Sequence, residues 1–372
     1  MVSETQKATS TAGANQRKYQ HVSETIAHKI RSGELKAGDR LPSDDALCRE
    51  YAVSSTTVGR ALGRLRDMGF IERIQGTGTF VKRPDLSDQM RFMFIGSGLG
   101  RVDPRTTVFA ELGAALDRRL WKDLKARVEP DHRRADDVVS HRDAAVAHAV
   151  ADGVDGVFYL PLEGHENAAE RNAGWVSRLR EAGACVVLID QDIVAAPRRS
   201  DLDLVGLDHY HAGWTVGSHA RERGARRVMV LGPRSRPRPV VQRLDGLSDS
   251  LGDGVELRYV PSSVDEGELV ESIREFKPDM AIGKDDRRAA LAVRALFRMK
   301  LSIPDDVMVC GFGDSPIASE LPVPVTSYAQ PIDLIAENAI RLMRERFIHR
   351  DRPATQLLLA GRLMVRDSST RG

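Results

Sequence analysis

In the stretch "VSSTTVGRALGRLRDMGFIERIQGTGTFV", residues 53–81, hydroxyl and guanidinium donors recur on one side of a helical pattern: Ser55, Thr56, Arg60 and Arg66, with Gly59 and Gly63 between them. Donors spaced in this way can grip phosphate oxygens and read base edges in a major groove. Neighbouring residues extend the candidate DNA-contacting set to Ser43, Arg49, Ser54, Thr57, Arg64, Thr77 and Gly78. A second set, Ser97, Asp190, Asp208, Asp285, Asp286 and Asp314, consists of polar residues that each follow a short apolar run. Open α/β sheets bind small ligands just beyond the carboxyl ends of their strands, so these residues are candidates for a polar ligand site.

The first set needs a helix and a turn to position it. Val58, Ala61, Leu62 and Leu65 give the helix an apolar face, Ser54 stands as its N-cap and Gly69 ends it. Phe70, Ile71 and Ile74 precede "QGTG" and Thr79, Phe80 and Val81 follow it, which predicts a hairpin whose turn needs the glycines. Upstream, Val22, Ile26 and Ile30 mark one amphipathic helix, and "LPSDDALCREY" starts another with Ser43 as its cap. Helix, helix, turn, helix and hairpin is the order of a winged helix-turn-helix, whose third helix enters the major groove.

Charge follows the same division. Residues 17–84 hold 13 Lys/Arg against 8 Asp/Glu, whereas residues 85–372 hold 41 against 44, so the excess of positive charge lies where phosphate must be neutralised. No apolar run approaches the roughly 20 residues needed to span a bilayer. Residues 1–16 are small and polar, lack the apolar segment of a signal peptide and read as a disordered tail. Cys48, Cys185 and Cys310 are too few and too widely spaced for a disulfide framework or a zinc site. The expected location is the cytoplasm, with no membrane partner.

The second set needs strands. After a linker at 85–90 the chain alternates apolar runs ("FMFIG", "DGVFYL", "ACVVLID", "LVGL", "RRVMVLG", "DMAIG", "VMVCGF") with helix-length segments, the signature of parallel strands joined by crossover helices. About 280 residues is generous for one such sheet, so two α/β lobes are expected within residues 91–372.

Residues 19–83 resemble the GntR-type winged helix-turn-helix through "LPSDDALCREYAVSSTTVGRALGRLRDMGFIERIQGTGTFV". Residues 91–368 resemble the LacI/GalR type of sugar-binding regulatory domain, related to periplasmic binding proteins, through "DGVFYLPLE", "VVLIDQD", "VGLDHYHAG", "GARRVMVLGP", "RLDG", "LSIPDDVMVCGFGDSPIASELPVPVTSYAQP" and "LLAGRLMVRDSS". Together they are similar to arabinose-repressor-like hybrid regulators. The resemblance implies an α/β fold with an N-terminal winged helix-turn-helix and a two-lobed, type I periplasmic-binding-protein-like domain with parallel sheets. It implies lobes at about 91–200 plus 330–350 and about 201–329 plus 355–368, with crossings near 197–203, 328–331 and 350–355. It implies a homodimer on a palindromic double-stranded operator and a small sugar or sugar derivative clamped between the lobes. Arg243 of "RLDG" matches the arginine that grips the ligand, and Asp190 an acid that accepts its hydroxyls or, equally, caps the next turn; Trp214 lies near the expected cleft, to pack in the core or to stack on a sugar.

The sequence departs from both patterns. Asp45, Ser55 and Gly59 stand where GntR-type domains commonly carry arginine, leaving Arg60 to take over groove reading. Asp285 replaces an asparagine, and Gly313 replaces the first acid of a pair, leaving Asp314. His209 and His211 are spaced i, i+2, do not share a helix face and have no third ligand nearby, so no metal is expected. With no nucleophile elbow, phosphate-binding glycine loop or HExxH motif, neither an enzyme nor a cofactor is expected. The leading expectation is a ligand-controlled transcription regulator, a repressor; the alternative is a ligand-binding protein with a degenerate DNA-binding face.

Overall fold

The structure, a computed structural model, describes residues 18–30, 34–67, 69–82, 90–96, 108–124, 128–130, 138–195, 197–232, 237–261 and 263–370. The expected tail, residues 85–89 of the linker and Ser97 lie outside the described residues.

Helices α1 (18–30), α2 (Asp44–Glu50) and α3 (Ser55–Asp67) precede a hairpin of β1 (Ile71–Ile74) and β2 (Gly78–Val81). The apolar face of α3 is buried together with Val22, Ile26 and Ile30 of α1 and Leu47 of α2, which fixes the three helices around one core. Ser43 Oγ accepts from the Ala46 N–H at 3.3 Å, and Ser54 Oγ accepts from the Thr57 N–H at 3.3 Å, so both helices begin on serine caps. The antiparallel hairpin closes after the Ile74–Gly78 pair, with Gly76 at φ 75° and the Thr77 N–H donating to Ile74 O at 3.0 Å. Arg40 bridges to Phe80 and extends the wing by one residue.

Two six-stranded sheets follow. The first contains β3 (Phe92–Ile95), β4 (Val128–Pro130), β5 (Gly156–Tyr159), β6 (Cys185–Ile189), β7 (Asp203–Leu207) and β13 (Gln356–Leu359), all parallel, in the order β13-β7-β6-β5-β3-β4. On one face lie α4 (Val108–Leu124) and α12 (Ile332–Ile348); α5 (Val138–Ala151) and α6 (Ala168–Glu181) supply the core of the other. The second sheet runs β14-β12-β11-β10-β8-β9, from β8 (Arg227–Gly232), β9 (Glu256–Pro261), β10 (Met280–Gly283), β11 (Met308–Gly313), β12 (Thr326–Ala329) and an antiparallel edge strand β14 (Arg362–Met364). Helices α7 (His209–Glu222) and α8 (Arg238–Leu251) share one of its cores, while α9 (Glu266–Phe276) and α10 (Asp286–Arg298) share the other. Burial on both faces explains why the central strands are apolar throughout. No described helix is long and apolar enough to cross a membrane.

The chain crosses between lobes three times, and two crossings differ from expectation. Because β7 pairs with β6 and β13 in the first sheet, the first crossing falls at residue 208 rather than near 197–203. Helix α12 returns to the first lobe after residues 330–331. Because β13 also pairs with β7, the last crossing falls at 360–361 rather than 350–355. Among the described residues, one lobe therefore draws on those between 90 and 207 and on 332–359, and the other on those between 208 and 330 and on 362–370. The crossings are bonded sideways: the Asp208 N–H donates to Leu359 O at 2.9 Å, and the Gly361 N–H donates to Tyr328 Oη at 2.8 Å. A Cβ on Gly361 would lie 2.1 Å from Ala329 O, so glycine permits this close approach.

Candidate functional site

Between the lobes, strand ends of the first sheet face helix starts of the second. Asp190 follows β6 with a left-handed backbone, φ 70°, and its Oδ1 lies 2.9 Å from His209 Nε2, at the start of α7. The other ring nitrogen, Nδ1, lies 3.1 Å from Arg243 Nε on α8. Arg243 Nη1 donates to Lys284 O at 3.3 Å, and the guanidinium rests 5.1 Å from the centre of the Phe312 ring. Arg243 Nη2 has no partner among the described residues. Burial pushes the Asp190 carboxyl up, but His209 and then Arg243 outweigh it and hold the carboxyl below its ordinary value.

Glu163, four residues past β5, enters the same space. Its carboxylate accepts from the Arg238 N–H at 3.1 Å, across the lobes, at the start of a helix whose N-cap Pro237 supplies no side-chain cap. Burial, and then the charge of Asp190, push Glu163 up to about 7. Asp285 caps α10 through the Arg288 N–H at 2.9 Å and pairs with Lys284 at 2.7 Å. Asp314 pairs with Arg366 at 2.5 Å, while Glu111 on α4 of the first lobe is raised by burial and then by the facing Asp314. Carboxylates balanced by cations, beside an arginine with an unpartnered donor, make a polar cleft without large net charge.

The DNA-facing candidates divide by exposure. Ser43, Arg49, Ser54, Ser55, Thr56, Arg60 and Thr77 are exposed, and Gly78 is half-buried at the wing. Thr57 is buried at 2 % and its hydroxyl lies 2.9 Å from Ser54 Oγ, so it belongs to the helix cap and not to an outward face. Arg64 is half-buried and lines a groove with Ser23 and His28 of α1 and with Arg91 and Asp152 of the first lobe, so it faces that lobe.

Residues 18–81 match the family model of bacterial regulatory proteins of the gntR family, and residues 218–369 match that of a periplasmic binding protein-like domain. The chain joins a GntR-type DNA-binding domain to a periplasmic-binding-protein-like domain. It is 22% identical over 371 residues, 95% of this chain and 97% of the relative, to the arabinose metabolism transcriptional repressor of Geobacillus stearothermophilus. Over 64 residues, 17% of this chain and 27% of the relative, it is 45% identical to the mannosyl-D-glycerate transport/metabolism system repressor MngR of Escherichia coli strain K12. Among solved structures, a transcriptional regulator CelR–cellobiose complex shares the fold with a TM-score of 0.63 and 20% identity, over 88% of this chain and all of that one. A LacI-family regulator of Enterococcus faecium with bound ribose does so with a TM-score of 0.60 and 19% identity, over 75% of this chain and 98% of that one.

Within the periplasmic-binding-protein-like domain the structure brings Asp190, Arg243 and Asp285 together. It leaves Trp214 outside the bonded cluster: this residue is 40% exposed on α7, its ring 6.3 Å from Tyr210, and no hydrogen bond or ring contact joins it to Asp190, His209 or Arg243 among the described residues. Asp208 caps α7 through the His211 N–H at 2.9 Å. Asp286 is a buried brace that accepts from the Ser315 N–H at 2.7 Å and from the Ser327 hydroxyl. Sequence reasoning missed Glu163, His209, Lys284 and Arg366 as members of the cleft. Glu163 stood within "DGVFYLPLE", three residues beyond an apolar run that ends at Leu160, just past the strand, so the strand-end rule applied too close to β5 passed over it. In the GntR-type domain, helical spacing already placed Thr57 four residues before the buried Ala61.

Proposed function

We propose that the chain is a DNA-binding transcription regulator, a repressor, whose hold on a palindromic operator is set by a small sugar or sugar derivative bound between the lobes. The observation that carries this reading is that one chain holds both an exposed Ser55–Thr56–Arg60 face on a helix-turn-helix and a polar interlobe cleft in which Asp190 and Arg243 meet through His209. The names of the relatives support it: repressors among the sequence relatives, and cellobiose- and ribose-bound regulators among the structures. The protein acts as a homodimer in the cytoplasm and catalyses no reaction. Ligand binding changes operator affinity through its different affinity for the open and closed lobes, and a coupling of about 1–3 kcal/mol changes operator binding roughly 5- to 150-fold.

A second reading rests on Asp45, Ser55 and Gly59, which supply no guanidinium at positions where one commonly reads DNA. In that reading the cleft binds ligand and the DNA face is degenerate. One experiment separates them: purified protein is incubated with sheared DNA from its own source at moderate salt, and bound fragments are recovered and sequenced. Enrichment of a palindromic motif, relieved by one of a panel of sugars and sugar acids, supports the regulator. No enrichment with or without the panel leaves the ligand-binding reading standing.

A further inference from the structure

The imidazole of His209 is 3 % exposed and sits between a carboxylate and a guanidinium. A guanidinium stays protonated and its Nε–H can only donate, so the 3.1 Å contact requires His209 Nδ1 to accept. The ring proton then resides on Nε2, which donates to Asp190 Oδ1 at 2.9 Å. This is a neutral imidazole with a single tautomer selected by its two neighbours.

The consequence falls on Arg243. Its Nε is held by His209, its Nη1 by Lys284 O and its flat face by Phe312, so the fork has a fixed orientation and its unpartnered donor is Nη2. Taking the cleft as the ligand site, the reading on which this step rests, we propose that His209 is the positioning residue for Arg243: neutral imidazole holds the guanidinium so that Nη2 meets a ligand oxygen, and protonation of the imidazole releases it. An imidazolium carries protons on both nitrogens, so Nδ1–H would oppose Arg243 Nε–H and the hydrogen bond would be replaced by repulsion. The charged and titratable groups around the pair are Asp190 after β6, Glu163 after β5, Lys284 and Asp285 after β10, Tyr328 on β12 and Asp208 at the cap of α7. Asp190 and Arg243 occupy the two ring nitrogens, so a proton on Nδ1 decides whether the Arg243 Nε–H is held. Ligand binding is therefore stronger on the alkaline side of the His209 step than on the acid side.

The test needs no ligand. Full-length protein labelled with nitrogen-15 in histidine and arginine is followed by NMR from about pH 8 to about pH 5.5, the range in which histidine ordinarily changes charge. Spectra of His209→Gln and Arg243→Ala identify the two signals. The expected result is an Nε2–H tautomer for His209 at high pH, and an Arg243 Nε–H signal that is protected there and shifts or broadens in the same pH step as His209. In His209→Gln, which keeps one acceptor and one donor, the Arg243 Nε–H stays protected and the step is absent, even though Glu163 still titrates near 7. In His209→Phe, which keeps neither, its exchange accelerates about tenfold or more at every pH. An Nδ1–H tautomer, an Arg243 signal that is unchanged across the range, or a step that survives in His209→Gln would each overturn the proposal. Failure of every sugar to bind the wild type would instead count against the reading of the cleft, and the NMR result would stand apart from it.

Discussion

Replacing Glu163 by glutamine removes a charge that the fold holds at a cost. The carboxyl ordinarily titrates near 4.5, and burial followed by the Asp190 charge raises it to about 7 in the folded chain. A carboxyl raised on folding contributes its full stability below the unfolded value, near 4.5, and loses it as pH rises through 7. Each unit between the two values corresponds to about 1.4 kcal/mol, so complete ionisation at about pH 8.5 costs up to about 3 kcal/mol, and about 1–3 kcal/mol once residual solvent access is allowed for. Glutamine stays neutral and keeps an oxygen that can accept from the Arg238 N–H. Thermal unfolding of wild type and Glu163→Gln at about pH 4 and about pH 8.5 supplies the comparison, with each kcal/mol moving the midpoint by about 2–4 °C for a domain of this size. The expected outcome is near-equal midpoints at the lower pH and a more stable variant at the higher. A difference between the two proteins that does not change with pH would refute the reasoning, because the effect would then come from packing and not from ionisation.

Three further outcomes concern the two domains separately. Arg60→Ala removes an exposed guanidinium from α3, and the loss of one bidentate base contact, about 1–3 kcal/mol, predicts a roughly 5- to 150-fold weaker affinity for the selected operator in fluorescence anisotropy at fixed salt; unchanged affinity would exclude Arg60 from groove reading. A Cβ at Gly59 or Gly63 would meet nothing within 4 Å, so Gly59→Ala and Gly63→Ala should each stabilise α3 by about 0.5–1 kcal/mol, seen as slower amide exchange in that helix. In the second lobe a Cβ at Gly246 would lie 2.0 Å from Tyr210 O, so Gly246→Ala must push α7 and α8 apart and lower stability by at least about 1–3 kcal/mol, measured by urea unfolding.

The strands that were legible in the sequence are those covered on both sides. β3, β5, β6, β7, β8, β10 and β11 announce themselves as apolar runs because helices bury both faces of each sheet, whereas β9 and β14 lie at edges, with three of six and one of three residues exposed, and β12, "TSYA", is buried while carrying hydroxyls. Lobe boundaries were displaced for a related reason. Strand membership in a sheet is a matter of pairing, and nothing in "LVGL" or "QLLL" states that these two runs pair with each other. The cleft was legible as a list of strand-end acids and one arginine. Its wiring was not, because His209 joins elements that are distant in sequence, and considered alone with His211 it poses only the question of a metal. Thr57 shows the reverse case, a hydroxyl grouped with its exposed neighbours although helical spacing already set it beside the core.

The sideways bonds between the crossings decide what kind of motion the lobes can make. With the Asp208 N–H tied to Leu359 O and the Gly361 N–H tied to Tyr328 Oη, no connecting segment can slide lengthwise past its neighbours without breaking a bond. Each such bond sets a cost of about 0.5–1.5 kcal/mol on sliding, which favours rotation of the lobes over shear. A ligand with a modest preference for the closed form therefore works chiefly along that rotation. A side chain at residue 361 would force two of the connections apart, because its Cβ would collide with Ala329 O, and so loosen the hinge without touching either lobe's core or the ligand's contacts.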